Sequence, residues 1–297
     1  MKKGSVIGLI APGSCVSPGA IDLCVRAIEQ LGFNAVVGDA CVGYQNNNIR
    51  FNDAERARDL ERMFADPCVS GVMALRGGYG CGRILDLIDY ELINRNKKPL
   101  FGYSDITALH VSLGQKAGLQ TYHTPMPATE FAGEMDTFSM EYLLRCLGEV
   151  SPFGVVANLN NIPFITLIGG QCEGVLTGGN LAVITSLLGT PYEIDTRGKV
   201  LFLEDVDEPY YKIDRMLLQL RLAGKFRDCA GVLFGSFTQD ENKLDKRVLS
   251  EIFKNHLCNE SKPTLYNLAC GHCLPTISLP LGRHVFIDAD NREIRSE

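Results

Sequence analysis

The run Lys98-Pro99-Leu100-Phe101-Gly102-Tyr103-Ser104-Asp105-Ile106-Thr107 passes from an apolar strand straight into a helix. The pattern predicts a strand over 99–103 and a helix over 105–117, which leaves Ser104 on a tight turn between them. Such a turn lifts a hydroxyl off the C-terminal edge of a sheet, where open parallel sheets place their ligands. The N-terminus of the following helix offers unpaired N–H groups that favour developing negative charge. Ile106 stands where a full Gly-x-Ser-x-Gly elbow has its second glycine. The plain alternative is that Ser104 is only a helix N-cap.

Outward from this turn, the first half alternates strand and helix. Strands are expected over 6–11, 34–37, 71–75, 99–103 and 119–122, and helices over 17–31, 53–64, 81–93, 105–117 and 140–147. Ser17, Pro18 and Gly32 supply an N-cap, a first helical position and a stop for the first helix. This alternation makes the fold class α/β, with a mostly parallel N-terminal sheet flanked by helices on both faces. Residues 37–52, with Tyr44-Gln45-Asn46-Asn47-Asn48, read as a long loop of the kind that often carries function.

Turn residues and lost periodicity around 150–165 divide the chain into an N-terminal domain, 1–155, and a smaller α/β C-terminal domain, 156–297. Strands are expected there over 165–168, 174–176, 199–203, 230–234 and 263–268. Helices are expected over 180–188, 211–222 and 246–256, the second with Ile213, Met216, Leu217 and Leu220 on one face. A closing hairpin is expected from 276–281 and 284–287 around Gly282-Arg283.

Of the 297 residues, 45% are hydrophobic and 22% charged, and the net charge is −6. This is a globular composition that speaks against nucleic acid as a partner. The first apolar run, 6–11, is shorter than a signal-peptide core, and no window is long enough for a membrane span. The 11 cysteines are odd in number and scattered, several in apolar stretches (Cys24, Cys146, Cys229), so they read as reduced core residues and point to the cytoplasm. Tryptophan is absent.

Two further segments bear on chemistry. Leu75-Arg76-Gly77-Gly78-Tyr79-Gly80 follows a strand, and its glycines let backbone N–H groups approach a ligand. It lacks the signatures of a P-loop or a dinucleotide fingerprint. It reads either as an oxyanion hole, pairing an N–H of Gly77 or Gly78 with that of Asp105, or as a plain glycine turn. Leu201-Phe202-Leu203-Glu204-Asp205-Val206-Asp207-Glu208 is an apolar strand that ends in four carboxylates, with Glu204 nearest the core. There it suits the orienting of a histidine, the alternative being a solvated acidic loop. Among five histidines, His272 is the best base, since it leaves the strand 263–268 through Ala269-Cys270-Gly271; His123 is placed to line a site. Cys270-Gly271-His272-Cys273 also keeps open a thiol oxidoreductase built on Cys270 and Cys273.

In order along the chain, Ile10-Ala11-Pro12-Gly13-Ser14, Arg76-Gly77-Gly78-Tyr79-Gly80, Gly102-Tyr103-Ser104-Asp105 and Gly178-Gly179-Asn180-Leu181 resemble the LD-carboxypeptidase family. Leu203-Glu204-Asp205, Ile213-Asp214-Arg215-Met216-Leu217, Gly271-His272 and Pro280-Leu281-Gly282 extend the resemblance over nearly the whole chain. The family also contains microcin-immunity peptidases. The resemblance implies a serine peptidase with a triad on Ser104, Glu204 and His272 and an oxyanion hole from the N–H groups of Gly78 and Asp105. It implies an N-terminal sheet like that of the class I glutamine amidotransferases, a site between the domains, a homodimer, and no metal or cofactor. The implied substrate is a murein tetrapeptide, cut between the diamino acid and terminal D-alanine during cytoplasmic wall recycling. Arg76, beside Gly77, is the candidate for holding the terminal carboxylate. Thr124 stands where the family pattern leads us to expect glycine, and the absent tryptophan argues against the immunity-type members, unless an aromatic such as Tyr44 substitutes.

Overall fold

The computed structural model describes residues 1–42, 52–131, 133, 135–148, 154–239 and 242–296. It is built on two sheets. The first has six strands in the order Leu279–Leu281, Thr121–His123, Leu100–Gly102, Val69–Ala74, Val6–Ile10, Asn34–Val37. The five N-terminal strands pair in parallel because the intervening segments carry the chain back to the same end of the sheet. Helices Pro18–Gln30, Asp53–Ala65 and Thr107–Ala117 belong to these connections. Ser17 occupies the N-cap position of the first helix, but its side chain makes no capping hydrogen bond.

Two expectations fail. The helix over 81–93 is replaced by a 3-10 turn, Cys81–Arg83, and a short helix, Tyr90–Arg95. Asp89 restarts the helix by accepting the Leu92 N–H at 2.9 Å, the local competition that makes aspartate favour caps over interiors. The closing hairpin is also absent. Leu279–Leu281 adds antiparallel to Thr121–His123 at the edge of the first sheet, whereas His284–Asp288 pairs with Gln171–Asn180 in the second. Pro280 has no N–H to donate, which suits it to an edge strand. The crossing buries Leu279 and Leu281, and that long-range burial outweighs a local turn. Tyr44-Gln45-Asn46-Asn47-Asn48 lie outside the described residues.

The second sheet runs Gly154–Val156, Glu293–Ser296, His284–Asp288, Gln171–Asn180, Val200–Val206, Gly231–Gln239, Thr264–Tyr266, Ile165–Ile168, with Asn242–Lys243 on Gly231–Gln239. Its centre, from Gln171–Asn180 to Thr264–Tyr266, is parallel. Helix Tyr210–Leu222 covers it with Ile213, Leu217 and Leu220. Among the described residues, no helix is long and apolar enough to cross a membrane.

The sheets meet at Gly179, which presses against Thr107, just after Gly178, which presses on Phe202 in its own sheet; both glycines are at positive φ. A Cβ on Gly178 would collide with the Phe202 carbonyl, and one on Gly179 with the Thr107 hydroxyl. The next residue, Asn180, donates its N–H to Thr107 Oγ1 at 2.9 Å, and its side-chain amide donates to Asp205 Oδ1 at 3.0 Å. This buried bridge ties the helix after Ser104 to the strand that carries Glu204.

A side chain at Gly179 therefore meets both a strained backbone and an occupied site. Gly179→Val should lower the free energy of unfolding by about 2 kcal/mol or more. Gly19→Ala, where an added Cβ meets nothing within 4 Å, should leave it nearly unchanged. Urea midpoints of the two variants check the contrast.

Candidate active site

Ser104 has φ 64, a left-handed conformation that costs a non-glycine residue about 1 kcal/mol or more. Surrounding structure holds it there. Gly102 below lies in the first sheet, Ile106 above is fully buried, and the 3-10 turn Ser104–Ile106 leads into helix Thr107–Ala117. Tyr103, not Ser104, holds the N-cap position, and no side chain caps this turn. The plain N-cap reading thus has no support, and the hydroxyl of the half-buried Ser104 is left for other work.

The glycine loop packs directly on this turn. A Cβ on Gly77 would lie 2.8 Å from Ser104 Cβ and 2.9 Å from its Oγ, so only glycine permits the approach. Asp105 Oδ2 accepts the Cys81 N–H at 2.8 Å and so ties the end of the loop to the serine turn. Burial pushes the Asp105 carboxyl up, against that hydrogen bond. The Ile10–Ser14 segment supports the loop from below: Ser14 N–H donates to Gly77 O at 3.0 Å, and Arg56 donates to the Pro12 carbonyl. Gly78 is at φ 97, where any Cβ would collide with Ser14 Oγ. Arg76 is half-buried, and its Nε is buried without a partner.

Glu204 and His272 are brought together by the fold. Glu204 is wholly buried, and its Oε2 accepts from His272 Nδ1–H at 2.7 Å and from the His272 backbone N–H at 3.2 Å. That assigns the proton to Nδ1 and leaves Nε2 with the lone pair. Gly271 makes the contact possible, since a Cβ there would stand 2.5 Å from Glu204 Oε2. Burial alone would raise the Glu204 pKa, but the adjacent imidazole outweighs it and holds the carboxyl low. Burial likewise depresses His272, yet the Glu204 charge and hydrogen bond leave it above its ordinary value. Asp205, on the other face of the strand, accepts from Asn180, Ala182 and Val206. Burial and the Glu204 charge still push it up to about 7.

The two halves meet at Tyr103, a residue that sequence reasoning passed over. The His272 ring packs on the Tyr103 ring, centroids 4.7 Å apart. The Tyr103 hydroxyl donates to Glu130 Oε1 at 2.6 Å, and Glu130 Oε2 accepts the Met126 N–H at 2.8 Å. The imidazole thus lies against the residue immediately before Ser104, although Ser104 Oγ and His272 make no hydrogen bond to each other in this structure. A cleft of about 580 Å³ opens here, lined among others by Tyr103, Glu130, Asp207, Thr238, His272 and Leu274. Its lining includes neither Ser104 nor Arg76.

Cys270 is fully buried, with its thiol pushed well up by burial, and Cys273 lines the cleft. Both lie in irregular chain rather than at a helix N-terminus, so the usual device for lowering a thiol pKa is missing.

A left-handed serine packed on a glycine loop, with a histidine held by a buried carboxylate resting against the residue before it, suits hydrolytic chemistry. Comparison with known proteins agrees. Residues 7–124 match the LD-carboxypeptidase N-terminal domain and residues 173–287 the LD-carboxypeptidase C-terminal domain. The chain belongs to the LD-carboxypeptidase family. It is 39% identical over 287 residues to the probable murein peptide carboxypeptidase of Bacillus subtilis, covering 95% of this chain and 88% of that one. An MccF-like protein from Bacillus anthracis superposes with TM-score 0.89 at 26% identity, covering 100% of this chain and 97% of that one. The muramoyltetrapeptide carboxypeptidase from Oxalobacter formigenes superposes with TM-score 0.80 at 27% identity, covering 98% of each chain.

The Glu204–His272 pair makes a signed prediction. Glu204, held low, contributes stability present above its ordinary pKa of 4.5 and lost as pH falls through its folded value. His272, held high, contributes stability complete below its ordinary 6.5 and lost as pH rises through its folded value. The pair therefore contributes fully between about 4.5 and 6.5. In Glu204→Gln, burial of His272 remains and the compensating charge is gone, so the imidazole pKa should fall. An NMR titration of the His272 Cε1–H reads this directly, and an unmoved pKa would show that Glu204 does not set it.

Proposed function

We propose that this LD-carboxypeptidase is of the serine type and removes the terminal D-alanine from murein tetrapeptides, cutting the bond to the L-diamino acid. The observation that carries the reading is an imidazole anchored on a buried carboxylate and packed on Tyr103, the residue before a left-handed Ser104 pressed by the glycine loop. The names of the Bacillus subtilis and Oxalobacter formigenes relatives supply the substrate class.

In this reading His272 Nε2 takes the Ser104 proton while Oγ attacks the peptide carbonyl. Glu204 stabilises the resulting imidazolium. The oxyanion rests on the N–H groups of Gly78 and Asp105, a pair supported by the close packing of Gly77 on Ser104 and by the Asp105 N. His272 then protonates the leaving amine of D-alanine, and water, activated by the same imidazole, releases the acyl-enzyme. Arg76, with its buried unpartnered Nε, is our candidate for the terminal carboxylate, beside Gly77. Glu130 and Asp207 give the cleft an acidic wall that suits the ammonium group of a diamino acid.

The division into 1–155 and 156–297 assigns the nucleophile to one domain and its base and acid to the other. We also infer cytoplasmic action on imported wall fragments as a homodimer. None of the eleven cysteines is in a disulfide, in keeping with a reducing compartment.

Ser104→Ala should fold as the parent does and lose tetrapeptide cleavage by about a thousandfold or more. Mass spectrometry of murein tri-, tetra- and pentapeptides after incubation reads both activity and length preference. Parent-like release of D-alanine by Ser104→Ala would overturn the nucleophile assignment.

A further inference from the structure

His123 ends the strand Thr121–His123, directly beside Gly102 in the parallel register. It is 2% exposed, and neither Nδ1 nor Nε2 has a hydrogen-bond partner. Orphaned nitrogens on a side chain this deep are uncommon, since burying an unmade donor costs free energy. Packing alone leaves this choice unexplained. The ring sits 5.5 Å from Tyr103 and edge-on to Phe202 at 5.1 Å, contacts that phenylalanine would make without orphaned nitrogens.

Glu204 has the matching deficit. Its Oε2 accepts both hydrogen bonds from His272, whereas Oε1, equally buried, has no partner. Phe202 and Glu204 lie two apart on one strand and so project from the same face, the face that His123 meets through Phe202. His123 and Glu204 also act on each other electrostatically, each favouring the other's charged form. Yet burial holds His123 neutral, with its pKa pushed down to about 4.

We propose that His123 is a positioning residue of the reaction: its imidazole, which makes no direct hydrogen bond to Glu204 in this structure, turns to donate a ring N–H to the idle Glu204 Oε1 and so steadies the carboxylate that orients His272. The inference rests on the roles proposed above for Ser104, Glu204 and His272. A neutral donor fits the task better than a cation, which would oppose charge on His272 as it accepts the serine proton. The donor shares the carboxylate's charge without neutralising it. Other titratable groups around His123 are His110 on helix Thr107–Ala117, Tyr103 with its partner Glu130, Asp205 beside Glu204, and His272 with Cys273. His110 spends Nε2 on the Gly102 carbonyl at 2.9 Å and is itself held neutral, burial taking it down to about 3. Neither it nor Tyr103, committed to Glu130, is a donor for Oε1.

The experiment compares His123→Phe and His123→Gln with the parent, measuring tetrapeptide turnover across pH. In His123→Phe we expect kcat to fall about tenfold or more, with KM within about twofold. Its acidic limb should move to higher pH, because a carboxylate with no second donor holds the imidazolium proton more firmly. His123→Gln, which keeps an N–H donor, should recover much of kcat and return the limb toward the parent position. Unchanged kcat and an unmoved limb in His123→Phe, with Ser104→Ala inactive, would overturn this proposal alone; an active Ser104→Ala would overturn the underlying triad. Should His123→Phe fail to fold, nitrogen NMR of histidine-labelled protein decides. At neutral pH a slowly exchanging His123 ring N–H should appear and shift on Glu204→Gln, and a ring N–H indifferent to that substitution would reject the donor role.

Discussion

The docking of Gly178-Gly179-Asn180 onto Thr107 is the constraint on which the site depends. Ser104 follows a strand of one sheet, whereas Glu204 lies on a strand of the other and His272 follows one, so their relation is set wherever the sheets touch. Thr107 is one helical turn beyond the serine, and Asn180 faces it with its N–H while its side chain reaches Asp205 next to Glu204. Gly179 at positive φ allows that approach, because a side chain there would meet Thr107 and hold the sheets apart, while Gly178 lets the strand lie tight on Phe202 beside it in its own sheet. A short polar bridge in a buried seam fixes geometry better than apolar packing would, since a slip strands its donors without partners.

Around this seam each functional group is held by something that has no part in the chemistry. Ser104 keeps a strained backbone because Ile106 is sunk in the core and Asp105 is tied to the glycine loop. The loop in turn lies on Ser14 and Arg56, which explains why a short motif near the N-terminus accompanies a site formed much later in the chain. His272 is held at one nitrogen by Glu204 and across its face by Tyr103, itself tethered to Glu130. Strain at the serine and burial of the carboxylate are local costs, offset by the packing of two large sheets.

Local signals read well wherever one segment settles its own conformation. The strand-to-turn-to-helix run at Ser104, the parallel N-terminal sheet and the helix Tyr210–Leu222 were all visible as periodicity and turn chemistry. The segment after Gly80 misled, because its apolar spacing suits a helix while Asp89 restarts the chain with its own side chain. The supposed closing hairpin misled for another reason. Leu279–Leu281 and His284–Asp288 look like neighbours in sequence, yet each finds a better apolar partner in a different sheet.

The sequence by itself determined the fold class, the position of the serine turn, and the candidate acid and base, because each rests on short-range patterns and on an ordered set of motifs that resembles one family. Only the tertiary structure decided that Glu204 takes both hydrogen bonds from His272 on one oxygen, that Tyr103 and Glu130 hold the imidazole, and that His123 is buried with idle nitrogens. Those facts join residues up to some 170 positions apart across a seam between sheets, Tyr103 to His272 among them. No local pattern encodes such a meeting; it follows from which surfaces can be buried together without leaving their polar groups unpaired.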